Sequence, residues 1–364
     1  MSKSEPNTSR RRFLTGTGAI AAGAAVGILP KRSRAASSLK VGTYGGYFKD
    51  SFDKHIYPDF TKETGIQIDS VSEPTGEAWL VQLQNAARAG EAPADVSMMA
   101  QVPRQKGENA KLWAALDGSK IPNKKYLLPN FVQEYKDGGI AGIGAVSWYI
   151  TLVTNTKVYP TAPESWMAFW DPANKNRLGL LALATNSFLL EITATTYFGG
   201  KDILGTEDGI LKVLKKLSEV KPNVKLWYRD EGQFQQALQS GEIPMGQYYH
   251  DVTGLAAKDG FPVRSTFPKE GGVLDSGSWS VSKASKQLDE AQVFINYMCR
   301  PDIQAKLSRN VRTAPTVKRE FLDLTDAEFA EVSSDKTPII PEYQMYLEKG
   351  DWISDHWTSM ITGA

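Results

Sequence analysis

The sequence predicts an α/β fold in more than one domain, on three observations. Strand-like and helix-like pieces alternate along the chain, the pattern of βα units. The 364 residues exceed one ordinary domain and fit two. Hydrophobic content of 41% and charged content of 23% are globular values. No apolar run in the body of the chain reaches the ~20 residues of a membrane span.

The elements follow in order. "LKVGTY" (39–44) reads as a strand and "GGYF" as the turn after it. "KDSFDKHIYPDFTKETG" then reads as one helix, open to interruption at Pro58 and ending at Gly65. "IQIDSVS" is the next strand, "EAWLVQLQNAARAG" a second helix and "ADVSMM" a strand. Further on, Asp230 is a natural N-cap for "EGQFQQALQS", which closes at Gly241. "LDEAQVFINYMCR" carries Ala291, Phe294, Ile295 and Met298 at helical spacing.

The first 36 residues stand apart. Ser9-Arg10-Arg11-Arg12-Phe13-Leu14 has the form of a twin-arginine export signal, followed by a Gly/Ala-rich apolar stretch and the small residues Ala35 and Ala36. Residues 1–36 carry seven of the 42 Lys/Arg and one of the 41 Asp/Glu, so the remainder holds 35 bases against 40 acids. An acidic mature chain argues against a nucleic-acid partner. Cys299 is the only cysteine, which excludes an internal disulfide, and a buried structural thiol is expected. The expected setting is the periplasm, as a free exported protein.

In open α/β sheets ligands bind beyond the carboxyl ends of strands. That rule directs attention to Tyr44–Tyr47, the segment after Met99, Ser147–Tyr149, Asn186, Arg229 and the run "QYYHD" at Gln247–Asp251. In Tyr44-Gly45-Gly46-Tyr47 the glycines allow a tight turn or a close backbone approach to a ligand. No Lys-Ser/Thr ending follows, so this is no phosphate loop.

Several blocks then resemble the polyamine-type (spermidine/putrescine-binding-like) family of periplasmic solute-binding proteins, the receptors of ABC importers. They are "FTKETGIQI" (60–68), "LDGSKIPN" (116–123), "TNTKVYPTAPESWMAFWDPANKNRLGL" (154–180), "SGEIPMGQYYHD" (240–251) and "FPKEGGVLDSGSWSVSKASKQLDEAQVFINYMCRPDIQAKLS" (267–308). The resemblance implies a two-lobed periplasmic binding protein fold of type II, with a ligand cleft between lobes joined by hinge strands. On this reading residues 1–36 are the signal, 37–147 plus 279–318 form lobe 1, and 148–278 plus 319–364 form lobe 2. Crossings are expected near Ser147 and Ser278. The implied partners are a small-molecule amine or amino acid and a membrane permease, with the receptor itself a monomer and neither cofactor nor metal required.

Residue by residue, the resemblance also implies a change of ligand. The first block keeps its aromatics, Tyr44 and Tyr47, but lacks the acid that the family carries there. After "EGG" the family's aromatic and Asp are replaced by Asp275 and Gly277, and Asn186 and Leu189 stand where acids are expected. Ammonium groups without paired carboxylates are costly to desolvate, which disfavours a polyamine. Arg229 and Arg312, near strand exits, offer planar forks for a carboxylate. Asp251 and Asp275 could take an ammonium, walled by Tyr44, Tyr47, Trp148, Tyr249 and Trp279. The expected ligand is therefore a small zwitterion, γ-aminobutyrate first, gripped by Tyr44, Gly45, Gly46, Tyr47, Ser147, Trp148, Arg229, Tyr249, Asp251, Asp275 and Arg312.

Two other functions, ferric-iron binding and catalysis, find less support in the residues. Tyr248, Tyr249, His250 and Asp251 are hard donors for Fe³⁺, but strand neighbours point to opposite faces, and His55 and His356 give no metal spacing. If the alternation is offset by one, Tyr248 and His250 take the places assigned to Tyr249 and Asp251. An enzyme would need a nucleophile elbow, metal signature or cofactor fingerprint, and none is present. Glu191 is read as facing solvent or capping a neighbour. Trp166 and Trp170, four apart, read as one packed helix face, and Trp352 and Trp357 as pins for the C-terminal tail.

Overall fold

β5 (Ile140–Asn155) and β10 (Val273–Val281) are the two strands around which the molecule is built. The computed structural model describes residues 37–45, 47–74, 77–136 and 138–363. The export signal read at residues 1–36 lies outside them. β5 is buried along its whole length except at Trp148. A strand covered on both faces reads as a continuous apolar run, which "IAGIGAVSWYITLVTN" is.

On one side, β1 (Ser38–Tyr44) lies between β2 (Gln67–Glu73) and β3 (Val96–Ala100), both parallel to it. α1 (Tyr47–His55), α2 (Tyr57–Thr64), α3 (Glu77–Arg88) and α4 (Gln101–Asn109) follow these strands. The single helix expected over 49–65 is two helices broken at Ile56, with Pro58 in the first turn of the second. Pro58 has no N–H to give the preceding turn and its ring would strike that turn's carbonyl, so the chain restarts its helix just before it. Gly65 closes α2 in the left-handed region at φ 76°.

β10 joins this sheet antiparallel to β3, and β5 pairs with β10 and with the short β4 (Val132–Glu134). The far half of β5 pairs with β8 (Met245–Tyr249) and β9 (Val263–Thr266). β6 (Leu178–Leu181) lies parallel to β8 and to β7 (Val224–Tyr228). Around this second group pack α5 (Ala184–Ser187), α6 (Leu189–Phe198), α7 (Glu207–Ser218), α8 (Glu231–Ser240) and α9 (His250–Lys258). α10 (Leu288–Met298) and α11 (Pro301–Val311) return to the first group. α12 (Asp326–Ala330) and α13 (Tyr343–Thr362) end the chain.

Two large apolar cores result. The first holds Leu39, Val41, Phe52, Phe60, Trp279 and Phe294, the second Trp166, Leu180, Ile192, Val213, Ile353 and Trp357. β5 leaves the first core at Tyr149 and enters the second at Ile150, and β10 passes from the second at Val273 to the first at Leu274. The fold is two-lobed α/β, with strands running through the junction. Trp166 and Trp170 sit on a 3₁₀ turn, not an α-helix; Trp166 is fully buried and donates to the Gly271 carbonyl at 2.8 Å. Trp357 anchors α13 by donating to the Ala182 carbonyl at 2.8 Å. Trp279 packs edge-on against Phe52 and Phe294 in the first core and is not a ligand wall. Cys299 is buried and unpaired, and burial pushes its thiol up to about 12. Among the described residues no helix is long and apolar enough to cross a membrane.

Candidate functional site

A cavity of about 890 Å³ lies between the two cores. Strand exits feed it: Tyr44 ends β1, Ala100 to Pro103 join β3 to α4, Asn186 follows β6, and Tyr249 ends β8. Trp148 and Asp275 are cross-strand partners on β5 and β10, so they stand side by side on the same face. The remaining wall is α13, which contributes Tyr343, Tyr346, Glu348, Lys349, Asp351 and Trp352 among others. Its backbone leaves helical geometry at Lys349 (φ −126°, ψ 16°), beside Gly350, so the helix kinks where it borders the cavity.

Asp275 is the chemical centre. Its Oδ1 accepts from the Tyr343 hydroxyl at 2.8 Å and from the Ser276 N–H at 2.8 Å. Its Oδ2 accepts no hydrogen bond from a described residue. Burial lifts the carboxyl to about 6, the two hydrogen bonds opposing that rise. At neutral pH it is ionised, and it faces Tyr44, Trp148 and Tyr249 across the cavity lining. The Tyr44 hydroxyl is itself buried without a partner, and its titration is raised by burial and by the Glu73 and Asp275 carboxylates. At Gly277 a Cβ would stand 3.2 Å from that hydroxyl, tighter than ordinary packing, so the glycine gives the Tyr44 ring its seat.

The start of α4 is held rigidly. Gln101 donates to Ser276 and Ser278 at 3.1 and 2.8 Å, and Arg104 donates back to Gln101 at 3.2 Å. Ala100 supplies no side-chain cap, so the first N–H groups of α4 are left for other acceptors, with Lys106 one turn on also lining the cavity.

The structure decides the register of "QYYHD". Tyr249 lines the cavity, its hydroxyl donating to Glu231 at 2.8 Å. Tyr248 is buried on the other face, against Phe234. α9 begins at His250, which turns His250 and Asp251 away into a second cavity. The donors considered for Fe³⁺ are thereby dispersed, and no group of three His, Cys, Asp or Glu among the described residues is arranged for a metal.

The eleven expected ligand residues therefore part company. Tyr44, Trp148, Tyr249 and Asp275 share the cavity. Ser147 does not reach it: its Oγ donates to the Ala314 carbonyl at 2.9 Å and its carbonyl accepts from the Ala314 N–H at 2.8 Å. Gly45 serves the turn, since a Cβ there would stand 2.6 Å from Ser72 Oγ. Gly46 and the side chain of Tyr47 lie outside the described residues. Neither arginine lines the cavity. Arg229 is exposed after β7. Arg312 caps α11 in the left-handed region at φ 65°, a turn that sends its guanidinium to Glu331. Asp251 is in the second cavity with it.

Sequence reasoning missed Tyr343, Tyr346 and Lys106. Of the two readings of Glu191, solvent is excluded and the capping of a neighbour holds: it is fully buried beneath α13, accepting from Tyr346 at 2.8 Å and from the Glu342 N–H at the start of that helix at 3.0 Å. The period of Tyr346, Ile353 and Trp357 would have revealed the helix.

Comparison with known proteins now bears on this cleft. The family of bacterial extracellular solute-binding proteins matches residues 56–331. The chain belongs to that family. The spermidine/putrescine-binding periplasmic protein of Salmonella typhimurium is 24% identical over 336 residues, 88% of this chain and 92% of its own length. The γ-aminobutyric acid-binding protein of Pseudomonas aeruginosa is 24% identical over 287 residues, 77% of each chain. An ABC transporter substrate-binding protein from Bradyrhizobium japonicum superposes with a TM-score of 0.72 at 24% identity, over 89% of this chain and 99% of that one. The solute-binding family match ends at Glu331, before α13, so the helix that walls this cleft lies beyond the matched segment.

The buried acids set a pH dependence for the ligand-free protein. Burial raises Glu73 to about 8, Asp251 and Asp275 to about 6, and Glu191 in the same direction. Each folded-state value lies above its unfolded one, so stability is lost as pH rises from the ordinary carboxylate range to the raised value, at up to ~1.4 kcal/mol per pH unit per group. Urea midpoints are expected to be higher at pH 5 than at pH 8. Glu73→Gln should narrow that difference, and an unchanged difference would remove Glu73 from the account.

Proposed function

We propose that this protein is the periplasmic ligand receptor of an ABC importer and that its cleft takes a small organic ammonium compound, a γ-aminobutyrate-like zwitterion first. The observation that carries the reading is Asp275, a recessed carboxylate on an aromatic-lined cavity, with one oxygen held by Tyr343 and no described residue donating to the other. An ammonium there gains a charge-assisted hydrogen bond and the faces of Tyr44, Trp148 and Tyr249. The ligand's carboxylate is assigned to the uncapped start of α4, in place of the arginine fork. A cavity of about 890 Å³ exceeds so small a ligand. Hinge closure or retained water would take up the difference.

A second reading, a polyamine, draws on Glu348 and Asp351, which line the same cavity but are exposed. Among the described residues that line the cavity, only Asp275 offers a recessed anionic contact, which supports one ammonium over several. The test is a thermal-shift panel of γ-aminobutyrate, other short amino acids, putrescine and spermidine. A ligand at a hundred times its Kd adds about 2.7 kcal/mol, a visible shift. Response to the zwitterions supports the first reading, and response to polyamines alone replaces it with the second.

A further inference from the structure

Among the described residues Arg104 is the only lysine or arginine that is buried, at 4% exposure. It stands on α4, three residues beyond Gln101, and does not itself line the cleft. Gly142 of β5 makes room for its stem, since a Cβ there would stand 3.2 Å from Arg104 Cδ. Taking a guanidinium out of water is costly, and exchanging a buried ion pair for apolar groups of similar volume is often neutral or stabilising. Stability alone therefore gives no reason for an arginine at this place. Its donors do.

Nη1 of Arg104 donates to Glu108 Oε2 at 2.8 Å, and Nε donates to Gln101 Oε1 at 3.2 Å. A guanidinium can only donate, so it fixes which end of the Gln101 amide faces it. The amide nitrogen is thereby turned to β10, where it donates to Ser276 Oγ at 3.1 Å and Ser278 Oγ at 2.8 Å. Ser276 in turn gives its N–H to Asp275 Oδ1 at 2.8 Å. Gln101, Ser276 and Ser278 are all buried, where an unmade hydrogen bond is costly. The ladder between β10 and β5 is irregular between Gly277 and Ser278, so this stretch of β10 draws more of its support from side chains. Without the Arg104 donor the amide is free to turn over, and the strand beside Asp275 loses a fixed neighbour.

We propose that Arg104 is a positioning residue for ligand recognition: it fixes the Gln101 amide, and through Gln101 and Ser276 it holds the Asp275 carboxylate where the ligand's ammonium meets it. The inference rests on the reading of the cleft as an ammonium site, and it applies to a zwitterion and a polyamine alike. Arg104 touches no ligand.

The test is calorimetric titration of full-length wild type, Arg104→Met, Ser276→Ala and the double variant with γ-aminobutyrate and with putrescine, alongside urea unfolding of each protein without ligand. Methionine keeps an apolar stem and removes every donor. For whichever amine the wild type binds, Arg104→Met is expected to bind about tenfold more weakly, the worth of one hydrogen bond to a charged group. Its urea midpoint is expected at or above that of wild type, which a merely structural arginine would not allow. Ser276→Ala is expected to weaken binding as well, and the double variant no further than the more affected single one, because both changes break the same link. Unchanged affinity in Arg104→Met overturns the inference. So does a loss of affinity matched by a lower urea midpoint or by failure to fold, and so do losses that add in the double variant. If the wild type binds neither amine, the ammonium reading of the cleft falls and takes this inference with it.

Discussion

Asp275→Asn is expected to weaken ligand binding by two orders of magnitude or more while leaving the fold intact. The substitution keeps the acceptor that Tyr343 and Ser276 use, so the cavity retains its shape. What it removes is the counter-charge for a desolvated ammonium. A hydrogen bond to a charged group contributes about 1.5–3 kcal/mol, and breaking a buried ion pair by deleting one partner costs about 3–5 kcal/mol. Either range corresponds to at least tenfold in affinity, and their overlap to a hundredfold. The ligand-free variant should melt no lower than wild type, because a carboxylate lifted to about 6 by burial is itself a stability cost at neutral pH. The pH profile provides an independent check. Wild-type affinity should fall as pH drops below about 6, where Asp275 takes up a proton, and the Asn variant should lack that inflection. Retained affinity in the variant would move the ammonium to Glu348 or Asp351 and favour the polyamine reading.

How much of this site could be read in advance depends on what each residue is bound to. The βα alternation and the strand-exit rule led to Tyr44, the turn after Met99, Trp148, Asn186 and Tyr249, because backbone direction follows from local pattern. The two arginines show where local pattern stops. Arg312 is withdrawn by Glu331, nineteen residues later and on a separate element. Nothing near Arg312 in sequence announces that partner. The register of Tyr248 and Tyr249 is likewise a tertiary fact, set by the pairing of Tyr249 with Ile150 and of Tyr248 with Thr151. α13 was missed for a related reason. Its role in the cleft depends on where a helix from the end of the chain docks, and docking is decided by Glu191 and Ala182, more than a hundred residues earlier.

Glu191→Ala is accordingly expected to destabilise the protein by about 3–5 kcal/mol and to impair the cleft at a distance. The carboxylate is fully buried, and its two hydrogen bonds come from the first turns of α13 and the residue before it. Alanine leaves the Tyr346 hydroxyl and the Glu342 N–H without acceptors, at about 1–3 kcal/mol each, and opens a void in the second core. Tyr346 and Tyr343 lie one turn apart on the same helix, so loosening the first also loosens the donor that orients Asp275. A large fall in the urea midpoint together with weaker ligand binding is the expected result. Glu191→Gln separates the two effects. It restores one acceptor and the lost volume, and it removes an acid whose titration burial has raised. That variant should recover much of the stability and should show a smaller gain on acidification from neutral pH than wild type, since the gain arises from protonating a buried carboxylate. If Glu191→Ala proves as stable as wild type and binds as tightly, α13 is not held through this residue, and the cleft wall must owe its position to Trp357 and the apolar contacts of Ile353 alone.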